Sequence, residues 1–220
     1  MIFYTKVKIN YVIISSIVIL VGDMGVGKSS LMSQYIKNKF PESPLPTIAI
    51  EFATKLIKVK EGGFIKAQIW DTAGEEKYKS ITAHHYRKSV GALLVYDVTR
   101  KSTFDDCIKW YTELKNYTDK NCVICLVGNK TDLVECASYP KEVQFEEAQK
   151  FAEEYDMLFF ESSAKDNKKV TKIFEELLQQ IYNKRRKIGK DDLLTRSFII
   201  KKNIYLENKN NTERGCLCGF

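Results

Sequence analysis

Gly22-Asp23-Met24-Gly25-Val26-Gly27-Lys28-Ser29 fits the pattern G-x-x-x-x-G-K-[ST], between an apolar run at 17–21 and a polar, helix-compatible stretch at 30–39 that opens with Ser30. A strand, a glycine-rich loop and a helix in that order form the setting in which this pattern holds phosphate. The glycines let successive backbone N–H groups turn inward at the positive end of the helix dipole. Lys28 is placed to reach the β- and γ-phosphates and Ser29 to ligate Mg²⁺. The loop announces a nucleoside triphosphate without naming its base.

The 220 residues suit one domain plus a tail. With 44% hydrophobic and 29% charged residues the composition is globular, and residues 184–220 hold ten Lys/Arg against four Asp/Glu, so +6 of the net +7 lies there. A nearly neutral body with a basic arm argues against a nucleic-acid surface. Six cysteines without the spacing of a small secreted domain indicate a reducing compartment. Cys122 and Cys125 lie in an apolar run without a second pair at zinc spacing, and read as buried strand thiols. His84 and His85 lack a Cys or His partner nearby and read as surface or satisfied side chains.

Lys6 and Lys8 before the apolar run at 11–21 imitate a secretory signal. Cleavage after it would remove the strand that feeds the phosphate loop, so the reading is an irregular lead at 1–16 and a first strand from 17. Pro41 ends the first helix and 41–46 is a loop. Residues 50–59 and 64–70 form a hairpin around Gly62-Gly63, 74–86 a loop with a short helix, and 92–97 a central strand. A helix at 102–117 capped by Ser102, a strand at 123–127, a helix at 145–155, a strand at 158–161 and a helical stripe from Val170 to Ile181 complete the alternation. This predicts a mostly parallel sheet covered on both faces, with ligands at the carboxyl ends of its strands.

Three motifs follow in order at three strand ends. Asp71-Thr72-Ala73-Gly74 offers Asp71 to the Mg²⁺ shell and the Gly74 N–H to a third phosphate, so this loop is ordered by a triphosphate and released by a diphosphate. Asn129-Lys130-Thr131-Asp132 offers a carboxylate at Asp132 that accepts from N1–H and the 2-amino group of guanine, whereas adenine offers neither donor. Ser162-Ser163-Ala164-Lys165 places the Ala164 N–H for guanine O6. A sequon at Asn129 therefore falls on a base-binding motif, and those at Asn116 and Asn210 carry no weight in a cytosolic protein.

With these motifs in this order, residues 17–184 resemble the Ras superfamily of small GTPases, and within it the Rab family. The Rab-like strings are residues 48–52, 66–71, 86–87 and 94–98, while Glu51-Phe52-Ala53-Thr54 and Gly91-Ala92-Leu93-Leu94 look most like the recycling-endosome branch. The resemblance implies a P-loop α/β domain with a six-stranded sheet, one strand antiparallel and helices on both faces. It implies GTP/GDP and Mg²⁺ as ligands, with Thr47 on the metal, Phe40 on the base or ribose, and Phe52 and Trp70 in an effector-binding patch. Trp70 and Phe52 also read as core residues. It further implies a monomer served by an exchange factor, a GTPase-activating protein (GAP), and a GDP-dissociation inhibitor or escort protein. Its place would be the cytoplasmic face of endosomal or Golgi-derived membranes, with cycling through the cytosol.

Three positions depart from the family. Glu75 stands where a Gln usually orients the attacking water, Met24 replaces a small residue, and Ala49 replaces a Gly after Thr47. They predict slow hydrolysis, or in the extreme a GTP-binding module that hardly hydrolyses. A P-loop nucleotide kinase would need an acceptor site and an arginine-bearing lid, which the sequence does not suggest. Residues 185–220 read as a flexible basic tail. Its end is not C-a-a-X, but Cys216-Leu217-Cys218 resembles the Cys-x-Cys prenylation ends of Rabs, displaced by two residues. Two lipid chains with a basic arm would give stable anchoring.

Overall fold

The computed structural model describes residues 7–41, 47, 51–60, 62–71, 86–188 and 199–206. In chain order these form β1 (Val7–Val21), α1 (Lys28–Lys37), β2 (Glu51–Lys58), β3 (Phe64–Asp71), β4 (Ser89–Asp97), α2 (Lys101–Asp105) and α3 (Cys107–Tyr117). There follow β5 (Val123–Asn129), α4 (Thr131–Glu135), α5 (Phe145–Glu154), β6 (Leu158–Glu161), α6 (Asn167–Ile188) and β7 (Ile199–Leu206). The sheet order is β2-β3-β1-β4-β5-β6. Strands β3, β1, β4, β5 and β6 run parallel, and β2 is antiparallel at one edge. The expected six strands and their one antiparallel member are present.

Burial on both sides explains the continuous apolar runs. Val18, Leu20, Leu93, Val95, Cys125 and Val127 face one core with α1 and α6. Ile19, Val21, Ala92, Leu94, Ile124 and Leu126 face a second core with α2, α3 and α5. The period-two alternation of a strand thus feeds two layers of helices from one apolar run. Cys125 is buried within β5, as expected, and Cys122 is buried just before that strand begins, where burial pushes its thiol up to about 11. Across the first core the Tyr35 ring of α1 stacks on Phe174 of α6, with centroids 4.1 Å apart and planes 6° from parallel. Phe174 is fully buried. Phe174→Ala is therefore expected to cost about 3–5 kcal/mol, read as a lower denaturation midpoint at unchanged m-value.

Three expectations are corrected. The lead at 1–16 is not irregular throughout: β1 begins at Val7, because the Val/Ile-rich run continues the strand and its backbone finds a partner. That partner is β7, which lies within the segment expected to be a flexible tail and pairs antiparallel with residues 7–14, from Val7↔Leu206 to Ile14↔Ile199. It adds a seventh strand to the sheet. The single helix expected at 102–117 breaks at Asp106 into α2 and α3, and Ser102 is no cap. Instead Thr103 Oγ1 donates to Arg100 O at 2.8 Å and accepts the Asp97 N–H at 3.0 Å, tying the first turn back to the strand end. The short helix expected within 74–86 falls almost wholly outside the described residues.

Candidate nucleotide site

All the expected motifs that can be followed lie on one rim, at the carboxyl ends of β1, β3, β5 and β6. Between β1 and α1 the chain turns through Gly22, Gly25 and Gly27 at φ 133°, 78° and 99°. Gly22 has a second reason to be glycine: a Cβ there would lie 2.1 Å from the Val95 carbonyl oxygen. At Gly27 it would lie 2.3 Å from the Asn129 side-chain nitrogen. The loop is thus pressed against both β4 and the base-motif loop.

Lys28 Nζ donates to the Gly22 carbonyl at 2.6 Å and the Asp23 carbonyl at 2.7 Å. It is 5% exposed, and burial pushes its pKa down to about 8 against the pull of Asp71 and Asp23. A desolvated ammonium inside a ring of backbone groups suits an anionic ligand. Val26 and Ser30 are buried beneath the loop and Met24 is 54% exposed above it.

Ser29 Oγ, Thr47 Oγ1 and the Asp71 carboxylate meet beside Lys28. Ser29 and Thr47 are 2.7 Å apart. Ser29 donates to Asp71 Oδ2, and Thr47 Oγ1 donates to the same oxygen at 3.5 Å. Asp71 Oδ1 is buried and has no hydrogen-bond partner among the described residues. Burial lifts the Asp71 pKa to about 6, although Ser29 and Lys28 hold it back. Hard oxygen donors around a buried carboxylate with an unused lone pair fit Mg²⁺, which these three residues could hold.

On the opposite side of the loop, Asn129 binds two neighbours. Its Nδ2 donates to the Val26 carbonyl at 2.8 Å, and its Oδ1 accepts the Ala164 N–H at 3.0 Å. The Ala164 N–H expected to face a base oxygen is therefore engaged with Asn129. Asp132 accepts from Ser163 Oγ at 2.7 Å and pairs with Lys165 Nζ at 2.8 Å. Partial burial works to raise the Asp132 pKa, but hydrogen bonds from Lys165 and Ser163 outweigh it and the carboxyl titrates below its usual value. Asp132 is thus an ionised acceptor at neutral pH, with a spare lone pair on each oxygen for two donors. The Lys165 ammonium stands 5.7 Å from the centre of the half-buried Phe40 ring, which frames the same corner. The arrangement can grip a triphosphate at Lys28, a divalent cation at Asp71 and a donor-bearing base edge at Asp132.

The chain matches the Ras family over residues 17–183. It is 50% identical to Ras-related protein RABA1b of Arabidopsis thaliana over 165 residues, 75% of this chain and 74% of the relative. It is 48% identical to Ras-related protein Rab11D of Lotus japonicus over 164 residues, 74% and 73% of the two chains. Ras-related protein YPTC6 of Chlamydomonas reinhardtii is 48% identical over 166 residues, 76% and 74% of the two.

The chain is a Ras-family small GTPase of the Rab type. As such this GTPase binds guanine nucleotide, hydrolyses GTP and serves vesicle traffic.

Gly74, Glu75 and Ala49 of the GTPase lie outside the described residues, as do Cys216 and Cys218. Phe52 is 51% exposed, so it is no core residue; its ring sits 4.7 Å from that of Trp70, which packs partly on the second core. Leu56, also exposed, shares the outer face of β2 with Phe52. Sequence reading missed three side chains that frame the phosphate loop of this Rab-type protein. Trp110 Nε1 of α3 donates to Asp23 Oδ1 at 2.8 Å, Arg100 Nη2 donates to the Met24 carbonyl at 3.2 Å, and Asp97 holds Arg100. Asp97 lies in the Rab-like string at 94–98, but the contacts of Trp110 with Asp23 and of Arg100 with Met24 span 87 and 76 positions, and no local signal pointed to those.

Proposed function

We propose that this GTPase is a guanine-specific, Mg²⁺-dependent membrane switch that stays in its GTP state for long periods. The observation that carries the reading is Asn129, whose one side chain joins the phosphate loop to the loop after β6 and so fixes phosphate and base pockets at one separation. Within that frame Ser29, Thr47 and Asp71 would hold Mg²⁺. The phosphate loop from Gly22 to Ser30 and Lys28 would hold the phosphates, and Asp132, backed by Ser163 and Lys165, would choose guanine. Phe40 and Lys130 would flank the base, and the Gly74 N–H would sense the third phosphate. Bound Mg²⁺ would neutralise charge on the phosphate oxygens; Lys28 would hold those oxygens in place.

Glu75 accepts but cannot donate an amide hydrogen bond, and a charge at the position where the family usually has the water-orienting Gln would disfavour a correctly placed water. Met24 projects from the phosphate loop, where it would obstruct groups inserted by a GAP. These two features support slow hydrolysis, and in the limit a constitutive effector-binding module. Phe52, Trp70 and Leu56 offer an apolar strip for effectors beside the switch loops, while an exchange factor and a GDP-dissociation inhibitor or escort protein would govern the cycle.

Hydrogen exchange of the chain loaded with GTP or GDP tests the switch. Protection of residues 42–50 and 72–85 should rise with the third phosphate; equal exchange in both states, or equal uptake of ATP and GTP, would refute it. Among the described residues no helix is long and apolar enough to cross a membrane. Dual prenylation at Cys216 and Cys218, with the basic arm, is our proposed anchor to the cytoplasmic face of recycling-endosome or Golgi-derived membranes. Cys216→Ser/Cys218→Ser is expected to move the protein from the membrane pellet to the soluble fraction; unchanged pelleting defeats the proposed anchor.

A further inference from the structure

Asp97, the last residue of β4, lies beside Asn129, the last residue of β5, in the parallel register. Its side chain is 2% exposed, yet it carries a carboxylate. Four donors satisfy it. The Thr99 N–H and Thr99 Oγ1 reach Oδ1 at 3.0 and 2.7 Å. Lys130 Nζ reaches Oδ2 at 2.7 Å, and Arg100 Nε reaches the same oxygen at 3.4 Å. A buried carboxylate removed from water at such cost is tolerated only when its partners are this complete.

Those partners lead to both ends of the nucleotide site. Lys130 belongs to the base motif and sits at φ 72°, a left-handed conformation that a non-glycine residue holds only when its surroundings require it. Arg100 grips the Met24 carbonyl with its far nitrogen, so its guanidinium spans from Asp97 to the phosphate loop. This tie is separate from Asn129. It is also one of charge, and therefore weakens when the charge at its centre is removed.

We propose that Asp97 is a positioning residue for nucleotide retention: without touching the ligand it holds Lys130 at the base end and, through Arg100, the Met24 peptide at the phosphate end. Losing its charge loosens both ends together. The inference rests on guanine nucleotide occupying this rim.

The test is release of a fluorescent GDP from the full chain into excess unlabelled GDP. Asp97→Asn keeps the size and the Thr99 contacts but loses the charge, and is expected to speed release about tenfold. Arg100→Ala removes a half-exposed side chain and should leave the fold intact; it is expected to speed release about two- to fivefold. The double variant should release within about twofold of Asp97→Asn alone, because Arg100 acts through the same carboxylate. The factor for Asp97→Asn should persist in EDTA, since it works at the base and at a peptide group rather than at the metal.

Release within twofold of wild type for both single variants overturns the proposal. So do single effects that multiply in the double variant, or an Asp97→Asn factor that vanishes in EDTA. If Asp97→Asn fails to fold, Arg100→Ala decides by itself, with less than a twofold effect overturning the proposal. Failure of the underlying guanine reading shows separately, as a wild-type chain that takes up ATP as readily as GDP, and it overturns both.

Discussion

Asp132→Asn is expected to weaken GTP binding by a factor on the order of 10³–10⁴ and to favour xanthine nucleotides instead. In the proposed site the carboxylate would offer guanine two acceptors, one for N1–H and one for the 2-amino group. An asparagine turns one of these into an N–H donor that meets the amino group head-on and leaves buried polar groups unpaired. Xanthine carries an oxygen at that position and restores the match. Ser163 can still donate to the amide oxygen, and the exposed Lys165 loses only a surface ion pair, so the fold should persist. Equilibrium titration with labelled guanine and xanthine nucleotides checks this, and GTP affinity held within tenfold of wild type would show that the base is read elsewhere. Because Lys165 and Ser163 keep Asp132 below the usual carboxylate range, its protonation should not erode guanine affinity between pH 5 and 8.

Met24→Ser/Glu75→Gln is expected to raise GAP-assisted hydrolysis by about 10³-fold, since stabilising groups supplied in trans contribute 10³–10⁵ in related enzymes. The serine clears the exposed thioether from the loop yet leaves the Met24 carbonyl, and with it the Arg100 bond, in place. The glutamine supplies the donor and acceptor pair that can orient water. Single-turnover hydrolysis of preloaded GTP, with and without a Rab-directed GAP domain, measures both contributions. Wild type as fast as the double variant would remove the roles assigned to Glu75 and Met24. A gain only with the GAP present would assign the effect to Met24.

How far the chain could be read in advance depended on how local each requirement was. The phosphate loop was legible because Gly22, Gly27, Lys28 and Ser29 answer to their immediate backbone geometry. The strands were legible because burial on both faces demands an unbroken apolar run, as at 92–97. At the start of 102–117 the sequence misleads, because Ser102 has the residue type of a cap without serving as one. The true anchor, Thr103 on the Asp97 N–H, depends on where the preceding strand ends. The segment at 199–206 reads as tail in the sequence because its partner lies at the other end of the chain, and no local pattern records that pairing.

By itself the sequence determined the α/β alternation and the glycine-rich loop between the first strand and the first helix, since each needs only near neighbours and a fixed spacing. Tertiary structure alone decided that Trp110 meets Asp23 across 87 positions, that Asn129 joins two loops, and that Asp97 gathers Arg100 and Lys130. The physical reason is that a hydrogen bond depends on separation in space. Only the packed fold brings those groups to between 2.7 and 3.4 Å of one another.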